Sequence, residues 1–565
     1  MTSPCSDLLA VALARVQRLR ASLQVLDGLP VRLVETHISW VLLSASLAYK
    51  LKKPVRLAFL DFSTLAARRG FCEEEVRLNR RLAPALYLDV VDVCDSPQGP
   101  TFGGFGPVVD VAVRMHRFPD GALWSEMLDL GTLASHHIDA LAQRLADFHR
   151  DAAVAPPDSV FGSAASHERV AQGLIEAMDT ISARDARDAR DARNARDARD
   201  ARNARNARNA KDARNARNAR KQAAETAGSA LDWPTLRAWL HQQQQALAPL
   251  WAARLRAGRV RECHGDLHLA NVLQLAGEST AFDGIEFDAE LRWIDVMDDI
   301  AFVAMDLLAN GRRDLAFRFI NAYLADSGDY DGLSVLRYAM VCRALVRARV
   351  TAIGNQQGMH PAARSGEPRY LALASALSCS ADARLAITHG LPGSGKSFTA
   401  QGVIEAAGAI GVRSDVERKR LFGLAALQSS RGHVPHGIYG QRATERSYSR
   451  LREVATVALS AGWPIVVDAA FLLRSERATF AALAAALSVP FTVFDCQAEG
   501  PLLRQRIQQR QLGAVDASEA DVLVLDRLTA TAEPLGVDEQ AVAIVIDAAR
   551  PLPAATLAGQ WLAAH

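Results

Sequence analysis

The chain has 565 residues, of which 49% are hydrophobic and 23% charged, with 65 Lys/Arg against 63 Asp/Glu. At roughly 100–200 residues per domain this is about two to four domains, and the apolar content excludes a globally disordered chain. The net charge of +2 hides one local asymmetry: 13 Lys/Arg and 6 Asp between Arg184 and Arg220 make that tract +7, which leaves the remainder, 52 basic against 57 acidic, at −5.

Seven cysteines lie scattered at 5, 72, 94, 263, 342, 379 and 496, with no CxxC pair. A zinc or redox motif therefore has no support, and dispersed thiols in a large chain lead us to expect a reducing, cytoplasmic setting. Asp7 interrupts the first apolar stretch, so no cleavable signal is expected. The sequence contains no apolar run of about 18 residues, so no membrane span is expected.

In chain order, residues 8–26 read as an amphipathic helix. Trp40–Leu51 reads as a hairpin turning near Ser44–Ser46. A helix is expected over Thr64–Leu82, carrying Glu73, Glu74 and Glu75, and alternation over 108–118 predicts a strand. Residues 131–150 have a helical pattern starting near Thr132. Residues 183–220 repeat the triplet Arg-Asp/Asn-Ala. A period of three drifts about 60° per repeat on an α-helix, so no apolar face forms and the tract cannot join a core. We read it as a solvated insertion. A basic arm for RNA is the alternative, but the tract has no aromatic residue for stacking bases, so a nucleic-acid partner is not expected. Helical patterns return over 230–258 and 297–378. Near residue 380 the chain changes to strand–loop–helix alternation, an α/β signature. The expected domains are therefore 1–378 and 384–565.

The most specific stretch is Gly390-Leu391-Pro392-Gly393-Ser394-Gly395-Lys396-Ser397, which fits GxxxxGK[ST] between an apolar strand (Leu385–Thr388) and a helix. Glycines let successive N–H groups turn toward one anion, and the following helix adds its positive end. Lys396 is expected to reach the β- and γ-phosphates of ATP, and the Ser397 hydroxyl to hold Mg²⁺. The apolar strand Pro464–Asp468 ends in an acid suited to the metal side, or else to capping. Val412–Asp415 reads as another strand ending in an acid. Asp415 could meet an acceptor hydroxyl or simply N-cap the helix Val416–Leu421. Arg506 and Arg510 stand at i,i+4 and could close over a nucleotide as a lid, or form a solvated face.

The second cluster is His264-Gly265-Asp266-Leu267-His268-Leu269-Ala270-Asn271, with Asp283 twelve residues after Asn271. HxDxxxxN has the spacing of a kinase catalytic loop. Asp266 could accept an acceptor's proton, while Asn271 and Asp283 hold metal ions that bridge phosphates. His264 is expected to orient the loop backbone.

HGDLHLANV followed by FDGIEFDAELRWIDVMDDIAF resembles the aminoglycoside-phosphotransferase-like kinases. Together with ETHISWV, AYKLKKPV, LDFST and FCEEEVRLNRRLAP upstream and GLPGSGKS and RSDVERKRL downstream, it resembles a two-domain bacterial family. That family fuses such a domain to a P-loop (AAA-type, zeta-toxin-like) kinase domain. The likeness spans nearly the whole chain outside the triplets. It implies an α+β bilobal protein-kinase-like domain followed by an α/β P-loop NTPase domain with a parallel sheet. It further implies that Lys50, or Lys52, meets the α- and β-phosphates, that Glu75 or Glu74 holds that lysine, and that Asp299 braces the catalytic loop. Activity, on this resemblance, is phosphoryl transfer from Mg²⁺-bound ATP to small hydroxylated molecules, with no membrane partner. A non-catalytic nucleotide sensor with a pseudokinase domain is the alternative. Two departures stand out: Ser44-Ala45-Ser46 replaces a glycine-rich phosphate-covering loop, and Phe398 follows the P-loop serine.

Overall fold

The computed structural model describes residues 4–57, 60–182, 187, 190, 233–356, 366–380, 382–430, 438, 440–513 and 517–564. Apart from Arg187 and Arg190, the triplet tract at 183–220 lies outside them. The chain divides into two compact units. One comprises Met1–Gly162, Arg254–Ser334 and Ala381–His565, the other Ser163–Ala253 and Val335–Ser380.

Alternating side chains build the first sheet. Its strands are β1 (Arg32–Glu35), β2 (Ser39–Leu43) and β3 (Leu47–Lys52), then, after the short pair β4 (Arg56–Leu57) and β5 (Leu60–Asp61), β6 (Tyr87–Cys94), β7 (Thr101–Phe102) and β8 (Val108–His116). They run antiparallel in the order β1-β2-β3-β8-β6-β7. The β2–β3 turn closes at Ser44, whose N–H donates to the Leu47 carbonyl at 2.8 Å. Tyr49 and Leu51 of β3 pack on one side with Ala12, Val16, Leu19 and Leu23 from the helix Pro4–Asp27. Burying each of the Val and Leu side chains contributes about 1.5–3 kcal/mol. Because side chains alternate across a strand, Ala48, Lys50 and Lys52 face the other side. That side is covered by the helix Leu65–Asn79, capped by Thr64, which buries Arg68, Cys72, Glu75, Val76 and Asn79 at helical spacing.

The rest of the kinase-like fold is mainly helical. β9 (Val260–Glu262) pairs with β12 (Trp293–Asp295), and between them β10 (Val272–Leu275) and β11 (Glu278–Ala281) form a hairpin. Helices Ser135–Asp151, Val296–Ala309 and Arg313–Ser327 support these strands. Arg254 ties the base together with paired hydrogen bonds to Asp295 and Asp329.

The C-terminal sheet is wholly parallel, in the order β14-β15-β13-β16-β17. Its strands are β13 (Leu385–His389), β14 (Ile410–Arg413), β15 (Ile465–Asp468), β16 (Phe491–Gln497) and β17 (Ala543–Asp547). The central strands are short and almost wholly buried, as parallel strands covered on both faces are. The chain is thus an α+β protein-kinase-like domain followed by an α/β P-loop domain. One expectation changes: β14 ends at Arg413, which is itself the N-cap, and Asp415 lies in the first turn of the helix Ser414–Leu421. Asp415 is therefore neither strand end nor cap; the chain turns into helix two residues earlier than the alternation suggests.

In the second unit, His167 stacks on Trp251, and Trp233 donates from Nε1 to Asp179 at 2.7 Å. Among the described residues no helix is long and apolar enough to cross a membrane.

Candidate active sites

In the kinase-like domain, β3 aims two lysines at one glutamate. Lys50 Nζ lies 2.9 Å and Lys52 Nζ 2.7 Å from the two carboxylate oxygens of Glu75. Lys50 also bonds Asp283, and Lys52 bonds Glu286. The five charges form one buried network, with only Asp283 substantially exposed. Burial opposes the charge on Lys50, but Asp283, Glu75 and Glu286 outweigh it and hold the lysine protonated well above its usual range. For Glu75, burial favours the neutral acid, yet Lys50 and Lys52 more than offset it and keep the carboxyl ionised. Glu74 points elsewhere, pairing with Arg77 and Arg292. Of the two candidate lysines, only Lys50 touches Asp283.

The loop between β9 and β10 carries Asp266 and Asn271. Asn271 Nδ2 donates to the Asp266 carboxylate at 3.1 Å and to its carbonyl at 3.0 Å. Asp299, fully buried, accepts from the backbone N–H of His264 at 3.0 Å and of Gly265 at 2.8 Å. The Asp266 N–H donates to His264 Nδ1 at 3.3 Å, which leaves Nε2 as the protonated nitrogen, donating to the Phe282 carbonyl at 2.9 Å. Burial lowers the His264 pKa, in keeping with a neutral ring. This imidazole thus links the Asp266 loop to the backbone beside Asp283. Three braces lie beyond the sequence reading. His149 bonds Asp299 at 3.1 Å and Tyr323 at 2.9 Å, and Asp306 accepts from the Leu269 N–H at 3.0 Å. His149, Cys263 and Asp299 cluster closely enough for a metal, but both ring nitrogens of His149 are taken by these bonds.

In the P-loop domain the loop leaves the end of β13, between β15 and β16, where ligands bind in open parallel sheets. Gly390, Gly393 and Gly395 all have positive φ. A Cβ on Gly390 would stand 2.5 Å from the Cys496 carbonyl, and one on Gly393 2.9 Å from that of Leu503, so side chains there would collide with backbone. The helix Lys396–Ala407 starts at the loop. Lys396 Nζ bonds the Leu391 carbonyl at 3.0 Å and makes no ion pair among the described residues. Burial lowers its pKa, with Asp468 pulling the other way.

A cavity of about 690 Å³ opens here, lined by Pro392, Gly393, Gly395, Lys396 and Ser397 of the loop, and by Asp415, Asp468, Arg506 and Arg510. All the C-terminal candidates except Gly390, Leu391 and Ser394 therefore share one hollow. Those three line a neighbouring cavity behind the loop. Arg413 contacts Ser397 Oγ and Asp468 Oδ2, each at 3.4 Å. Arg506 donates to the carbonyls of Gly393 at 3.3 Å and Ala548 at 2.9 Å, and Arg510 to that of Ala520 at 2.8 Å. Phe398 is 79% exposed on the cavity wall, and the half-buried Glu476 faces the same space. The donor set fits Mg²⁺: Ser397 and Asp468 here, and Asn271 and Asp283 in the first site, offer hard oxygen ligands.

The fold and these sites define a protein-kinase-like domain joined to a P-loop domain. Residues 385–535 match the family model of an AAA domain. An uncharacterized protein of Mycobacterium tuberculosis is 29% identical over 492 residues, spanning 86% of this chain and 87% of that protein, and the same figures hold for one from Mycobacterium bovis. Among solved structures, a choline/ethanolamine kinase family protein from Mesorhizobium loti aligns with 64% of this chain and 94% of its own, at 12% identity and a TM-score of 0.34. A sugar kinase from Janibacter aligns with 32% of this chain and 94% of its own, at 22% identity and a TM-score of 0.25.

Proposed function

We propose that this chain is an ATP-dependent phosphotransferase with two sites, each moving the γ-phosphate to a hydroxyl group of a small molecule. The observation that carries the reading is the P-loop cavity. Its half-buried lysine has a single carbonyl as hydrogen-bond partner among the described residues, beside a cradle where a side chain at Gly390 or Gly393 would collide with backbone. A cationic hollow lined by backbone amides is an anion site. Residues Gly390–Ser397 hold the phosphates, Ser397 and Asp468 hold Mg²⁺, Arg506 and Arg510 close over the nucleotide, and Asp415 receives the acceptor. Functionally, this site belongs to residues 384–565.

The first site, within residues 1–378, uses Asp266 to accept the acceptor's proton. Asn271 and Asp283 would hold a metal ion, which when bound would supply positive charge to offset the negative charge of the phosphoryl group. Lys50 gives up Asp283 for the phosphates while Glu75 keeps it aligned. Asn271 holds Asp266 at hydrogen-bond distance, so the carboxylate is fixed before any acceptor arrives. A bare nucleotide sensor needs no such base.

The test is transfer of label from γ-labelled ATP into small molecules of a metabolite extract by the full chain. Labelled products that disappear in a variant carrying both Asp266→Asn and Lys396→Ala support the reading. A parent protein that labels nothing sinks it.

A further inference from the structure

The strand that delivers Asp415 to the P-loop cavity is an edge strand, and an edge strand leaves alternate backbone groups unpaired. One such group on β14, and the carbonyl just before the strand, are taken by one side chain of the kinase-like domain. The Gly411 N–H donates to Asn321 Oδ1 at 2.6 Å, and Asn321 Nδ2 donates to the Ala409 carbonyl at 2.9 Å. The second amide proton goes to the Phe317 carbonyl, one turn back on the helix Arg313–Ser327, at 2.7 Å. Asn321 is 8% exposed, and its amide stands where a sixth strand would pair. A Cβ at Gly411 would come within 2.5 Å of Ile404 Cδ1, so a side chain there would have to displace that methyl group. The strand is thus pressed between its own P-loop helix and Asn321.

The same kinase-like helix grips the far end of the acceptor element. Arg420, in the last turn of the helix Ser414–Leu421, donates to the carbonyls of Ala325 and, at 3.2 Å, Asp326. Between these two anchors lie Arg413, which contacts Ser397 and Asp468, and Asp415 in the cavity wall. Two residues along the helix from Asn321, Tyr323 holds His149 and hence Asp299 beneath the catalytic loop.

We propose that Asn321 is a positioning residue of the P-loop site: it fixes β14, and through it Arg413 and Asp415, against the phosphate cradle, so that this site is completed by the kinase-like domain. The inference rests on the phosphotransferase reading for its consequence, but not for its geometry.

The experiment uses the full chain carrying Asp266→Asn, which silences the first site, with Asn321→Leu added. Hydrogen exchange over residues 409–413 is expected to rise about tenfold or more. The affinity for Mg²⁺–AMPPNP should stay within about twofold, because the cradle is untouched. Release of γ-phosphate from ATP, to extract or to water, should fall roughly tenfold to a hundredfold, as misplacement of a reacting group does. Arg420→Met loosens the other anchor and should give a smaller loss, about threefold, again without weakening nucleotide binding. It serves as the test if Asn321→Leu does not fold. Unchanged exchange overturns the proposal, and so does faster exchange with unchanged phosphate release. If the Asp266→Asn parent releases no phosphate at all, the phosphotransferase reading of this site fails, and the exchange ratio alone decides whether Asn321 holds the strand.

Discussion

The two sites manage charge in opposite ways. In the kinase-like domain Lys50, Lys52, Glu75, Asp283 and Glu286 answer one another inside one buried network. In the P-loop domain Lys396 makes no ion pair among the described residues and has a single carbonyl as hydrogen-bond partner. Buried ions are costly unless compensated. The first site compensates internally, and on the proposed function a phosphate would enter by taking the place of Asp283 at Lys50. In the second, Asp468 and Asp415 offset the burial of Lys396 only in part, and an arriving anion would complete the compensation. Chemistry at the first site should therefore be sensitive to single carboxylates, and occupancy of the second to single cations.

That contrast can be broken most easily at Asp266, the proposed base of the first site. Asp266→Asn should lower its transfer rate by about 10²–10⁴, the contribution expected of a positioned base. Mg²⁺–AMPPNP affinity should be unchanged, as read by titration of the full chain. An equal loss of affinity would make Asp266 a binding residue instead.

Next in size is Glu75→Gln. Removing one member of a buried charge network leaves the others uncompensated, which typically costs about 3–5 kcal/mol. Urea unfolding should show that loss. The same substitution has a pH signature. The Glu75 carboxyl is raised by burial but lowered further by Lys50 and Lys52, to about 2 from 4.5. Its folded value lies below its unfolded value, so its stabilisation is complete above pH 4.5 and is lost as the pH falls toward 2. Unfolding followed across that window should be steeper in the parent than in Glu75→Gln; equal slopes would place the acid sensitivity elsewhere.

The smallest effect belongs to the proposed lid. Arg510 sits on the cavity wall and donates to the Ala520 carbonyl. Arg510→Ala should weaken nucleotide binding by about 1 kcal/mol, roughly fivefold. A hundredfold loss would move Arg510 from the rim to the phosphates.

What can be read from the sequence follows the same division. The P-loop is contiguous: eight residues supply the turn, the amides, the ammonium and the hydroxyl, so strand, loop and helix are legible together. Asp266 and Asn271 are likewise local. Lys50 and Lys52 cannot be separated, because residues two apart on a strand share a face, and only the position of Asp283, 233 residues from Lys50 in sequence, distinguishes them. Glu286 gives one usable signal, an acid set between Ile285 and Phe287, which the motif pattern does not capture. His149, Tyr323 and Asp306 reach the catalytic loop only through helix packing, at separations no local pattern encodes. Asn321 lies on an ordinary amphipathic helix, and nothing in its neighbours announces the strand it covers. Asp415 is legible as a candidate but falls to the wrong element, since Val412-Arg413-Ser414-Asp415 alternates as a strand would while Ser414 already begins a helix.

The proposed function gives one chain two separate nucleotide sites, one self-neutralised and one awaiting an anion. The direct measurement is the stoichiometry of Mg²⁺–AMPPNP binding to the full chain, with and without Lys396→Ala. Two equivalents in the parent and one in the variant are expected, with the lost site weakened by about 3 kcal/mol or more. One equivalent in the parent, or two of undiminished affinity in Lys396→Ala, would contradict the account.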